Sequence, residues 1–171
     1  MREFSSIGAF AAHLLTRQAV VALELRAGLV EVAHAVRDTA REELGEYQES
    51  IGPFPAWQEL ADRTKAHHVK VIGQGGGAED AGENTPLLLT GGLRDSIESE
   101  IGGLEAVVGT TIDEGVWMEL GTNTAPPRPF LGPAVFHNER RIRAILGAAL
   151  VSGLLGHGVV SPTRMTAAVI D

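Results

Sequence analysis

The chain has 171 residues, a formal net charge of −8 and no cysteine. That length suggests one domain able to bury a modest core unaided, and the missing cysteines exclude thiol catalysis, disulfide frameworks and Cys-based zinc sites. Tight sequence-specific nucleic-acid binding is a poor fit to 14 basic against 22 acidic residues with no dense Lys/Arg block, since it requires cations to neutralise phosphates; an acidic surface does suit a protein that DNA slides past without sticking.

No basic n-region followed by an apolar run opens the chain, so no signal peptide is expected. Residues 6–44 predict a helix. Val21, Leu25, Leu29, Val32, Val36 and Ala40 recur at three- and four-residue intervals as one apolar stripe, with Glu24, Glu31, Asp38 and Arg41 off it. Ser5 or Ser6 suits the start, Gly45 the stop, and Thr16 is a candidate break point. Gly52-Pro53-Phe54-Pro55 reads as a turn, followed by a short helix from Ala56 through Thr64. Residues 73–85 are almost all Gly, Ala, Asn or acidic and carry no periodicity, which predicts a long flexible loop.

Three short strands are expected next. Ile97 and Ile101, with Leu93 before them, alternate with Glu98 and Glu100. Gly102-Gly103 signals a hairpin into a second strand over Glu105–Thr110. A third strand, Val116–Leu120, completes an antiparallel meander. Ala125-Pro126-Pro127-Arg128-Pro129 must be extended, because proline lacks an amide donor and bars its predecessor from helical angles. A last helix runs from about Pro133 to Leu155. Its second half, from Ala144, carries no charge on any side, and a helix apolar all round must be buried all round. Glycines and Pro162 interrupt the charge-free run to Thr163, so burial between subunits is the better expectation than a membrane span. The predicted fold class is therefore α+β, a long N-terminal helix and a C-terminal helix packed on a small antiparallel β-meander. One domain spans residues 1–156, followed by a C-terminal tail over 157–171.

Candidate chemistry is sparse. Val71-Ile72-Gly73-Gln74-Gly75-Gly76-Gly77-Ala78 has the spacing of a dinucleotide-binding turn, with Asp95 about 20 residues on. That turn needs a helix after it to hold the pyrophosphate, whereas Glu79–Asn84 is polar and aperiodic. His67-His68 point in different directions on any regular element, and the other histidines show no metal-ligand spacing. Glu98, Glu100 and Glu119 fit a solvated strand face better than a pair of catalytic carboxylates. No nucleophile elbow or P-loop is present. No catalytic residue, cofactor or metal is expected.

Trp57-Gln58-Glu59-Leu60 with Thr64, then Pro86-Leu87-Leu88-Leu89-Thr90-Gly91-Gly92-Leu93-Arg94-Asp95-Ser96-Ile97, resembles the head–tail joining and virion-morphogenesis proteins of tailed phages. So does Glu119-Leu120-Gly121-Thr122 followed by Pro126-Pro127-Arg128-Pro129-Phe130-Leu131-Gly132-Pro133-Ala134. The likeness spans roughly residues 18–150, with the motifs in the family's order; the Gly-rich loop 73–85 and the tail beyond Gly156 depart from it. The resemblance implies a structural, non-enzymatic virion protein, assembled in the host cytoplasm. It would form a homo-oligomeric ring at the neck or tail end, touch connector, head-closure, tail-terminator or tail-tube proteins, and let the genome DNA pass without specific binding or any membrane. A tail-terminator ring is the nearest alternative, and a small soluble nucleotide-binding enzyme using Gly73–Ala78 the alternative from another class. The residues expected to carry assembly are Arg128, Glu119, Phe130, Leu150 and Leu154. Arg128 is expected to reach outward from the rigid connector to a carboxylate, with Glu119 of its own or the next chain a candidate acceptor, while Phe130 anchors the last helix on the sheet.

Overall fold

A computed structural model of the protein describes residues 4–155; the tail expected over 157–171 lies outside the described residues. Its elements are α1 (Ile7–Glu42), α2 (Asp62–Gly73), α3 (Gly92–Asp95), β1 (Ile97–Gly102), β2 (Glu105–Thr110), α4 (Asp113–Leu120), α5 (Leu131–His137) and α6 (Glu139–Leu155). This is an α+β fold with its long helix first, a two-stranded antiparallel sheet in the middle and a helix last. The chain gathers into two compact units. The first holds the described residues up to Val32, Ile101–Ala106 and those from Arg140 onward; the second holds Ala33–Glu100 and Val107–Glu139.

α1 runs unbroken through Thr16, whose hydroxyl donates back to the Ala12 carbonyl at 3.0 Å and so stays compatible with the helix. The Ser6 hydroxyl accepts the Ala9 N–H at 3.1 Å, a side-chain cap for an otherwise orphaned donor. Past its C-terminal end Gly45 takes φ +107 and donates to the Pro86 carbonyl. On the apolar stripe Val32, Val36 and Ala40 are buried, while Val21, Leu25 and Leu29 are half-buried; Glu24, expected off that stripe, is buried as well.

In the first unit α6 lies hard against α1. A Cβ at Gly153 would stand 2.6 Å from the Val21 Cα, and one at Gly28 would stand 3.3 Å from the Ala149 Cβ. Only small residues allow that approach. In the second unit the core is Ala33, Val36, Ala40 and Leu44 of α1 with Trp57, Leu60, Leu88, Ile97, Phe130 and Ala134. The Arg41 guanidinium ties α1 to β1 by donating from Nε and Nη2 to the Ile97 carbonyl, at 3.1 and 2.6 Å.

Four expectations require correction. Residues 55–61 are extended, and the helix starts at Asp62 instead of Ala56. The reason is tertiary: the Trp57 N–H donates to the Gln48 carbonyl, the Leu60 N–H to the Tyr47 hydroxyl, and the Gln58 and Glu59 carbonyls accept from Arg128. With those groups committed elsewhere, an i to i−4 ladder cannot close. The third strand is instead α4, so the meander is a hairpin whose turn residues are Gly103 and Leu104. Asp113 and Glu114 favour the positive N-terminal end of α4, and Gly115, Met118 and Glu119 face inward at helical spacing while Val116, Trp117 and Leu120 face out. Leu93 belongs to α3 rather than to β1. The last helix is two helices parted at Asn138, whose side-chain amide donates to the Thr39 hydroxyl and the Ala134 carbonyl, at 2.8 and 2.9 Å. That side chain competes with the backbone for its own helix.

The segment after α2 has no regular structure up to α3. Val71 and Ile72 are helical, and no helix follows Gly73–Ala78 before α3, so this turn lacks both the strand and the helix of a dinucleotide-binding unit. The loop is nevertheless tied. The Asn84 Oδ1 accepts from the Tyr47 hydroxyl at 2.7 Å, the Ala78 N–H donates to the Leu89 carbonyl at 2.8 Å, and Asp80 pairs with Arg94.

Candidate assembly site: the proline connector and the apolar helix end

The connector from Gly121 to Phe130 carries the most specific polar geometry in the second unit. Gly121 turns the chain out of α4 with φ +77, and a Cβ there would stand 2.8 Å from the Pro127 nitrogen; glycine alone is comfortable in that conformation. The Thr122 hydroxyl accepts the Ala125 N–H at 3.0 Å and closes the turn that follows. Extended residues then lead to α5, whose first amides have no partner within the helix.

Glu119 satisfies them. Its Oε2 accepts the Phe130 and Leu131 N–H groups at 2.8 and 3.0 Å, and its Oε1 accepts the Gly132 N–H at 3.1 Å. One carboxylate on α4 therefore caps α5 across a ten-residue connector, with its charge at the positive end of the helix dipole. Charge-assisted bonds of this kind are worth about 1.5–3 kcal/mol each where water is excluded.

Arg128 does not reach outward. The residue is only 6% exposed, and its Nη2 donates to the Gln58 and Glu59 carbonyls at 2.9 and 3.3 Å. The expected pairing with Glu119 is thus replaced on both sides: the carboxylate is spent on backbone amides and the guanidinium on backbone carbonyls. Nη2 carries two N–H groups, so this one nitrogen serves two successive carbonyls of the segment. The Arg128 Nε is buried with no hydrogen-bond partner, and burial pushes the guanidinium below its ordinary pKa.

Phe130 is fully buried at the head of α5. Beside it the Trp57 indole N–H donates to the Pro129 carbonyl at 2.9 Å. At the far end of α5, His137 Nδ1 lies 2.8 Å from Oε1 of the buried Glu43, whose Oε2 has no partner. Burial pushes the Glu43 carboxyl up to about 7; the hydrogen bond and charge of His137 pull it back, and the charge of Glu119 adds to the rise.

The first unit carries a different feature. Leu150, Val151, Leu154 and Leu155 at the end of α6 are 43–61% exposed. Leu14, Leu15 and Leu23 of α1 are likewise exposed. Leu154 also lines an apolar groove of about 370 Å³ with Leu14, Val21, Leu25 and Leu104. One face of the apolar half of α6 is thus covered, at Ile145, Ser152 and Gly153, while the face carrying Leu150, Val151, Leu154 and Leu155 is left to solvent among the described residues.

Of the residues expected to carry assembly, Glu119, Arg128 and Phe130 converge on one connector in the second unit, and Leu150 and Leu154 sit on one helix end in the first. The roles of Glu43, Asn138 and Tyr47 were missed, because each depends on a partner distant in sequence. Among the described residues no group of acidic, histidine or cysteine side chains could hold a metal ion, and no helix is long and apolar enough to cross a membrane. Comparison with protein-family models, with curated proteins and with solved structures gives no match for this chain.

Proposed function

We propose that the protein is a structural subunit of a tailed-phage particle, a neck or tail-completion protein that acts in several copies around the channel joining head and tail. The observation that carries this reading is the exposed apolar end of α6, where Leu150, Val151, Leu154 and Leu155 face solvent within its last two turns. Apolar area of this kind stabilises association by about 25 cal/mol per Å² once removed from water. The order of the Thr-Gly-Gly-Leu, Glu-Leu-Gly-Thr and Pro-Phe-Leu motifs supports the same reading. So does a net charge of −8, which lets DNA pass a ring without being held.

In this scheme the second unit supplies rigidity, through the Glu119 cap and the Arg128 clamp. The α6 end in the first unit supplies the surface that packs against a neighbouring copy. Lysates in which the gene carries a nonsense codon test the reading. Filled heads and separate tails are expected, and purified protein added back restores joined particles. Normal joined particles without the protein would refute it, and tails of uncontrolled length would point to a terminator ring instead.

A further inference from the structure

The Arg128 guanidinium is a buried cation without an anion. Its only partners are two neutral carbonyls, Nε has none, and no carboxylate lies within ion-pair distance of it among the described residues. Arginine remains charged under any ordinary condition, and a buried charge is costly unless paired. Arg128 also lines a cavity of about 480 Å³ in the second unit. Arg63 lines the same cavity and forms no ion pair among the described residues. His68 lines it as well, with Nδ1 donating to the Gly82 carbonyl at 3.2 Å. The one acidic side chain on the wall, Glu59, is 84% exposed and leans to Lys65 at 3.8 Å, so it does not neutralise the guanidinium. On a molecule with a net charge of −8, the wall of this cavity carries two arginines against one carboxylate.

The rest of the wall is apolar: Leu60, Leu87, Met118 and Pro126. An inorganic phosphate would leave most of its oxygens against hydrocarbon there. A glutamate side chain would set its methylenes against that wall and its carboxylate on Nη1 of the guanidinium, the nitrogen that neither carbonyl occupies, in a charge-assisted hydrogen bond. Leu87 holds φ +62 at the cavity edge, a conformation that a branched side chain adopts only where its surroundings impose it.

We infer that this cavity is a receptor for a glutamate side chain presented by a neighbouring protein chain, with Arg128 as the buried anchor and Arg63 as the rim cation. The source of the carboxylate rests on the assembly reading above; the site itself does not.

The test uses the isolated full-length chain at pH 7 and glutamate blocked at both its amino and carboxyl ends, with blocked glutamine and inorganic phosphate as the other arms. The Arg128 Nε–H resonance is followed by nitrogen-edited NMR. Blocked glutamate should shift it saturably with a Kd on the order of 1 mM, as expected for a fragment of this size, and blocked glutamine should bind at least about tenfold more weakly. Arg63→Gln, on an exposed position of α2, should weaken glutamate binding several-fold without changing the melting temperature. Arg128→Lys should abolish the saturable response in the remaining amides, and if that variant fails to fold, the wild-type and Arg63→Gln titrations decide alone. No saturable shift, equal binding of glutamine, or tighter binding of phosphate than of glutamate would each overturn the inference. Failure of head–tail joining in the phage would leave these titrations untouched, so the two readings fall separately.

Discussion

Replacing Glu119 by Gln removes one charge from the connector while keeping the size of the side chain. The amide oxygen can still accept the Phe130 and Leu131 N–H groups that now meet Oε2 at 2.8 and 3.0 Å. The amide nitrogen, however, replaces Oε1, which accepts the Gly132 N–H at 3.1 Å, so a donor faces a donor. One bond is lost outright and two lose their charge assistance. At about 1 kcal/mol for each loss of charge and about 1–2 kcal/mol for the unmet amide, the variant should be destabilised by about 3–4 kcal/mol. For a chain of this length that corresponds to a melting temperature lower by about 10 °C. Urea unfolding followed by the fluorescence of buried Trp57, whose indole bonds to the Pro129 carbonyl of the same connector, reads both the stability and the local structure. Glu98→Gln on the exposed face of β1 is the control, with an expected change within about 0.5 kcal/mol. A change no larger than the control's would refute the capping argument.

Phe130→Ala should cost about 3–5 kcal/mol, measured in the same unfolding assay, because the ring is completely buried. Arg128→Ala should also destabilise the fold, since it strips the Gln58 and Glu59 carbonyls of their donor; an unchanged melting temperature would contradict the inward clamp. Stability should fall as pH rises from about 4.5 to about 7, because the Glu43 carboxyl is raised to about 7 in the fold and the buried charged form is disfavoured there. The contribution is fully present below the ordinary carboxyl range and lost through the folded pKa. Glu43→Gln should flatten that slope in a pH series of unfolding curves. Leu150→Ser with Leu154→Ser, both on exposed positions, should leave the melting temperature of the isolated chain nearly unchanged yet reduce the yield of joined particles.

Elements whose stabilisation is local can be read from the order of residues alone. The 36-residue α1 follows from an apolar stripe at helical spacing, the β1–β2 hairpin from alternation around two glycines, and the extended connector from its prolines. Each of these patterns restricts the backbone within a few residues. The uncovered end of α6 was legible too, because a helix with no charged side needs more cover than a short chain supplies.

The remaining features depend on partners that meet only in the folded chain. Residues 55–61 have helical composition but are extended, because Gln48, Tyr47 and Arg128 take up their backbone groups from far along the chain. Val116–Leu120 fits either a strand or a helix by composition, and the helix places Glu119 where it can cap α5. The directions of Arg128 and Glu119 could not be read from their order. Two opposite charges nine residues apart suggest a pair, but the unsatisfied amides of one helix and the stranded carbonyls of another segment are stronger claimants. Those claims arise only when the chain has folded, because a backbone group needs a side-chain partner only once water has been removed from it.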